Sequence, residues 1–161
     1  MAVRAGTKVT AAEPQELLRI AALLGGSKVL RRKLTGTLDA HEMILEGLPA
    51  RSLTHLLQNL VILQKGPSLE KAMGMSVRTF QRRKDVAGKP LSPEQSGRTW
   101  KFAEILAKAT AVFGTQAEAE QWLERPAMGL DHRRPIDLLS TPAGVELVEE
   151  HLSRLEYGVY T

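Results

Sequence analysis

The sequence has no cysteine. That excludes disulfides, thiolate zinc sites and cysteine nucleophiles together. Aromatic residues make up only 4% of its 161 residues, too few for the stacking platform on which single-stranded nucleic acid is held. There is no apolar run of the roughly 18 residues a spanning helix needs. No apolar segment of signal-peptide length precedes the acidic Glu13 and Glu16, so a cytoplasmic, membrane-free location is expected. Catalytic signatures are also missing. His41, His55, His132 and His151 are scattered without a ligand spacing, and no nucleophile elbow occurs. Gly25-Gly26 lacks the Lys-Ser/Thr continuation of a phosphate-cradling loop. The expectation is a non-enzyme with no catalytic residue, no metal site and no cofactor.

Charge is present in blocks. Residues 65–101 carry nine Lys/Arg against three Asp/Glu, a net of +6, whereas residues 116–161 carry four against nine, a net of −5. The whole chain is +4. A basic middle and an acidic end point to two partners of opposite charge, or to two ordinary solvated surfaces.

Helix signals dominate, and no stretch alternates with a period of two. Leu53, Leu56, Leu57, Leu60 and Val61 share one helical face, predicting a helix over residues 51–63 that ends at Gly66-Pro67. A helix is expected over 14–24, stopped by Gly25-Gly26. Asp39 with Glu42 reads as a capping box opening a short helix toward Glu46. Ser92-Pro93-Glu94-Gln95 combines an N-cap, a proline in the first turn and a reciprocal cap. The helix it opens is apolar almost all round as far as Gly114, and must be covered on most sides. Thr115 and Glu118 open the next helix. Pro135 begins a short one, and Thr141-Pro142 the last, with Val145, Val148, Leu152 and Leu155 as a core or partner-helix seam. The fold class expected is all-α.

The informative stretch is 68–85. Ser68 is read as the cap of a short helix with Leu69, Ala72 and Met73 on its inner face. Gly74 is placed where a tight turn needs positive φ, Met75 plugs the turn, and Ser76 caps a second helix with Phe80 buried between the two. This is helix–turn–helix spacing. With Phe80 inward, Val77, Arg78, Gln81 and Arg82 face outward, suited to base edges in a major groove. Arg83, Lys84 and Lys89 suit phosphates, with Ser76 or Thr79 adding a hydroxyl contact. Glu70 and Arg83 depart from the commonest residue types at their positions. The basic cluster Arg31-Arg32-Lys33 adds DNA contacts or is simply solvated.

The run Gly-Met-Ser-Val-Arg-Thr-Phe-Gln-Arg-Arg at 74–83 and Leu-Ser-Pro-Glu-Gln-Ser-Gly-Arg at 91–98 resemble the Xre/MbcA/ParS-like antitoxins. So do Phe113-Gly114, Trp122-Leu123, Pro126, Pro135-Ile136-Asp137-Leu138-Leu139, and the closing Arg-Leu-Glu-Tyr-Gly-Val-Tyr at 154–160. The resemblance covers about residues 50–161. The chain departs from the family pattern at Met128-Gly129-Leu130, often Leu-Gly-Gly, and at Gly97, often Asp.

What the resemblance implies is an Xre/Cro-like helix–turn–helix domain at 49–114, a small, mainly helical C-terminal toxin-binding domain at 115–161, and an N-terminal helical segment at 1–48. It implies a bacterial type II antitoxin that binds operator double-stranded DNA of its own operon and neutralises a RES-domain toxin that degrades NAD. A homodimer is expected, since one short helix reads few bases and two-fold symmetry doubles the contacts. A basic pyrophosphate pocket on such a toxin would be met by Glu149, Glu150 and Glu156, with Arg154 on a carboxylate and Tyr157 or Tyr160 in an apolar slot. The DNA-binding and toxin-binding halves are expected to be separate. The alternative is a stand-alone helix–turn–helix regulator with a C-terminal dimerisation domain.

Overall fold

The computed structural model of the chain describes residues 14–63, 66–76, 78, 79, 82 and 89–158. Among these the secondary structure is helical, apart from one isolated antiparallel bridge between Ala127 and Arg133. The helices are α1 (Pro14–Leu23), α2 (Gly26–Leu30), α3 (Thr37–Glu46), α4 (Ala50–Gln58), α5 (Pro67–Met73), α6 (Pro93–Phe113), α7 (Gln116–Glu124), α8 (Pro135–Leu138) and α9 (Pro142–Glu156), with a 3-10 turn at Met128–Leu130. Arg78, Thr79 and Arg82 also have helical backbone. No helix among the described residues is long and apolar enough to cross a membrane.

The spine is α6. Ser92 Oγ accepts the Gln95 N–H and the Gln95 side chain accepts the Ser92 N–H, so the predicted capping box is formed. At 21 residues the helix is about 31 Å long. Ala103, Ile105, Leu106 and Ala109 are fully buried on it, and α1, α3, α5, α7 and α9 all pack against it. Its core is continuous with Leu17 and Ile20 of α1, Leu53 and Leu56 of α4, Leu69 of α5, Leu123 of α7, and Val148 and Leu152 of α9. The expected separation of two halves is therefore corrected: one apolar core runs through both, because α6 buries residues on most of its faces. The seam on α9 is core, since Val148 and Leu152 are buried.

Several boundaries move for identifiable reasons. Asp39 is not the N-cap of α3. The helix starts at Thr37, and Asp39 sits in its first turn, where its carboxylate accepts the Thr35 N–H, the Thr35 hydroxyl and the Gly36 N–H. Those bonds hold its pKa below the ordinary carboxylate value, with the Thr35 hydroxyl as the largest cause. Ser68 is likewise inside α5, whose N-cap is Gly66. The α4 helix stops at Gln58 rather than near 63, and Gly66-Pro67 opens α5 instead of ending α4. The short α2 was not anticipated. Arg32, in the basic cluster after it, pairs with Glu42 at 2.6 Å and Glu46 at 3.3 Å on α3.

Candidate functional site

The turn after α5 is built as the spacing predicts. Leu69, Ala72 and Met73 are buried. Gly74 has φ of 66°, its N–H bonds to the Lys71 carbonyl, and the Met75 N–H bonds to the Glu70 carbonyl. That pair of bonds is a Schellman motif, which ends a helix on a left-handed residue. A Cβ at this position would also displace a neighbouring side chain. The Arg98 guanidinium, which donates to the Lys71 carbonyl, fills the space a Cβ would need, 2.6 Å from its ideal position.

Ser76 then starts the second helix. Its Oγ accepts the Thr79 N–H at 3.0 Å and lies 2.6 Å from the Thr79 hydroxyl. Arg78 and Arg82, four residues apart, both have helical backbone and both are exposed. Thr79 and Lys89 are exposed too. Val77, Phe80, Gln81, Arg83 and Lys84 lie outside the described residues. The motif at 91–98 supports this unit. Buried Leu91 donates its N–H to the Leu48 carbonyl, and Ser96 Oγ accepts the Leu48 N–H.

The acidic end of the chain braces the same unit. Helix α8 packs on α5. Arg134, just before α8, donates to Ser68 Oγ at 2.6 Å while Asp137 holds its guanidinium at 2.8 and 2.9 Å. From α7, the fully buried Glu120 carboxylate accepts the N–H groups of Val61, Ile62 and Leu63. Gln116 donates both to Glu120 and to the Asn59 carbonyl. These bonds explain the early end of α4: once three successive amides turn to one carboxylate, they cannot continue the helical ladder.

Residues 39–104 match the Antitoxin Xre-like helix–turn–helix domain, and residues 108–158 the Antitoxin Xre/MbcA/ParS C-terminal toxin-binding domain. The chain is 32% identical over 115 residues to an Antitoxin Xre of Photorhabdus laumondii, covering 71% of this chain and 76% of that one. The chain belongs to the Xre antitoxin family. An Antitoxin Xre of Yersinia enterocolitica is 35% identical over 92 residues, 56% of this chain; the match spans 62% of that relative's length. One of Pseudomonas putida is 29% identical over 126 residues, 78% of this chain and 76% of its own.

On the toxin-binding domain of this Xre-family chain, the acidic candidates on α9 differ in environment. Glu149 is half-buried and faces inward. It pairs with Lys101 at 2.9 Å and Lys108 at 3.8 Å on α6, where Glu104 also meets both lysines at 3.4 Å. Burial opposes the charge on Lys101, but Glu104 and Glu149 outweigh it and hold its pKa above the ordinary value. Glu150 is exposed and pairs with Arg154 at 2.9 Å. Glu156 is exposed at the end of α9, and Tyr157 is 80% exposed. Leu147, 51% exposed, adds an apolar patch to the outer side of the helix. Tyr160 lies outside the described residues.

Sequence reasoning missed Glu120, Gln116, Arg98 and Arg134. In Ala117-Glu118-Ala119-Glu120, nothing local separates the buried carboxylate from its exposed neighbour Glu118. Arg98 fell within the recognised motif, but its target carbonyl is 27 residues away.

Proposed function

We propose that the chain represses its own operon as a homodimer through the helix that Ser76 opens, and neutralises a RES-domain, NAD-degrading toxin through its C-terminal domain. The observation that carries this reading is the pair of exposed arginines with helical backbone, Arg78 and Arg82, following the Gly74 turn within a matched Xre-like helix–turn–helix domain. Bidentate arginines on guanine are the commonest specific contact in a major groove. Ser76, Val77, Thr79 and Gln81 are the further proposed groove contacts and Arg83, Lys84 and Lys89 the proposed phosphate contacts, so affinity falls steeply with added salt. The C-terminal match supports a toxin as the second partner. Exposed Glu150, Glu156 and Tyr157 form the contact strip, with Arg154 beside Glu150, and Tyr160 is proposed as a further contact. Glu149, held by two lysines, contributes by keeping α9 on α6.

The test is expression from the native two-gene operon. The expected result is co-purification with the neighbouring gene product, loss of that product's NAD consumption in the complex, and retarded migration of upstream DNA. A variant ending at Leu152 should lose the toxin. Undiminished inhibition by that variant removes the contact strip. DNA binding without any neutralisation identifies a stand-alone regulator instead.

A further inference from the structure

A carboxyl side chain with no exposure is among the costliest groups to place in a core, and it is tolerated there only where hydrogen bonds replace its water. Glu120 is such a group. Its Oε1 accepts Val61, Ile62 and Leu63 N–H groups at 2.9, 3.0 and 2.9 Å, and its Oε2 accepts Val61 N–H at 2.9 Å and Gln116 Nε2 at 3.0 Å. Three consecutive amides aimed at one carboxylate make an anion nest formed within the chain itself. The carboxylate comes from the toxin-binding domain and the amides from the helix–turn–helix domain. Leu63 precedes Gly66, the N-cap of α5, by three residues, so it holds the start of α5 within about 10 Å. At that start Arg134, also from the toxin-binding domain, holds Ser68.

We propose that Glu120, assisted by Gln116, is a positioning residue for DNA binding: it ties the approach to the helix–turn–helix to α7 and thereby sets how Arg78 and Arg82 are presented. This rests on the DNA-binding reading above. Glu120 has no exposed surface, so it offers nucleic acid nothing to touch. Its contribution is to geometry, with no share in the phosphate charge count.

The variant Glu120→Gln keeps the shape but puts an amide NH₂ where Oε2 accepts Val61 N–H and Gln116 Nε2, so donors face donors. Gln116→Ala removes the bridge to Asn59 and serves if the first variant folds poorly. Each full-length variant, with Leu152→Ala as a core variant that leaves the nest intact, is titrated against a duplex of the DNA upstream of its gene. Affinities are compared at equal folded fraction measured by circular dichroism. The expected result is an affinity about tenfold or more weaker for Glu120→Gln, and weaker in the same sense for Gln116→Ala. The slope of log affinity against log salt should stay at the wild-type value, because no phosphate contact is lost. Amide exchange at Val61, Ile62 and Leu63 should accelerate in Glu120→Gln and not in Leu152→Ala. Wild-type affinity in both nest variants, or a loss in Leu152→Ala equal to that of Glu120→Gln, overturns the proposal. Failure of the wild-type protein itself to bind the duplex overturns the DNA-binding reading and this proposal with it.

Discussion

Replacing Gly144 with alanine should destabilise the protein, although helix propensity argues the reverse. Gly144 is in the first turn of α9, and its N–H donates to the Thr141 Oγ1 cap at 3.0 Å. Its backbone lies against the end of α8 so closely that a Cβ would sit 1.9 Å from the Leu138 carbonyl oxygen and 2.8 Å from its carbon. The contacted atoms are backbone, so no side chain can rotate away. The helix would have to retreat by about 1.1 Å to reach the 3.0 Å below which Cβ contacts essentially never occur. Forcing a group into a packed contact costs about 1–3 kcal/mol, and disturbing the Thr141 cap about 1 kcal/mol. Alanine returns about 1 kcal/mol of helix propensity. The net is a loss of roughly 1–3 kcal/mol, or several degrees in Tm for a chain of this size. Urea unfolding followed by circular dichroism measures it. A midpoint equal to or above wild type would refute the steric argument, since propensity alone would then decide.

Arg78→Ala and Arg82→Ala should each weaken upstream-DNA binding by about 1–3 kcal/mol, with urea midpoints unchanged because both side chains are exposed; unaltered affinity in both places the reading face elsewhere. Leu106→Ala, at a fully buried position of the spine, should cost about 2–5 kcal/mol. Variants retaining only Trp100 or only Trp122 should report the same fluorescence transition as each other, because one core joins the two regions; two separated transitions would contradict that. His151 stacks on Trp122 with ring centroids 6.0 Å apart, and burial, followed by the charge of Arg154, lowers its pKa from 6.5. The unfolded chain then binds more protons than the folded one in the window just below 6.5, so this residue's stabilisation is complete above that pH and declines below it. His151→Gln should reduce the fall in urea midpoint between about pH 7.5 and 5.5, and an identical fall in both proteins would deny the shift.

The local grammar of the chain was readable without coordinates. Ser92 with Gln95, Thr115 with the Glu118 N–H, and Thr141 with the Gly144 N–H are caps whose partners lie three residues away. Their chemistry is written within one helical turn. The turn at Gly74 was readable for the same reason, because only glycine adopts its φ cheaply. Errors arose where a local signal competed with a distant partner. Leu60 and Val61 continue the apolar spacing of α4, yet the helix stops at Gln58 because Glu120, almost 60 residues on, takes the amides that follow. Asp39 has the composition of a cap, but its acceptors are used one turn earlier, at Thr35 and Gly36.

The sequence by itself determined the all-helical class, the helix–turn–helix with its outward arginines, and the division of charge between a basic middle and an acidic end. Those properties depend on residue type and on spacings of one to seven positions. Only the tertiary structure decided that the two regions share one core, that Glu149 turns inward to two lysines while Glu150 stays outside, and that Glu120 and Arg134 bond to the 61–68 segment that leads into and opens α5. Each of these depends on which distant groups are brought within about 3 Å, and hydrogen bonds and ion pairs weaken steeply beyond that range.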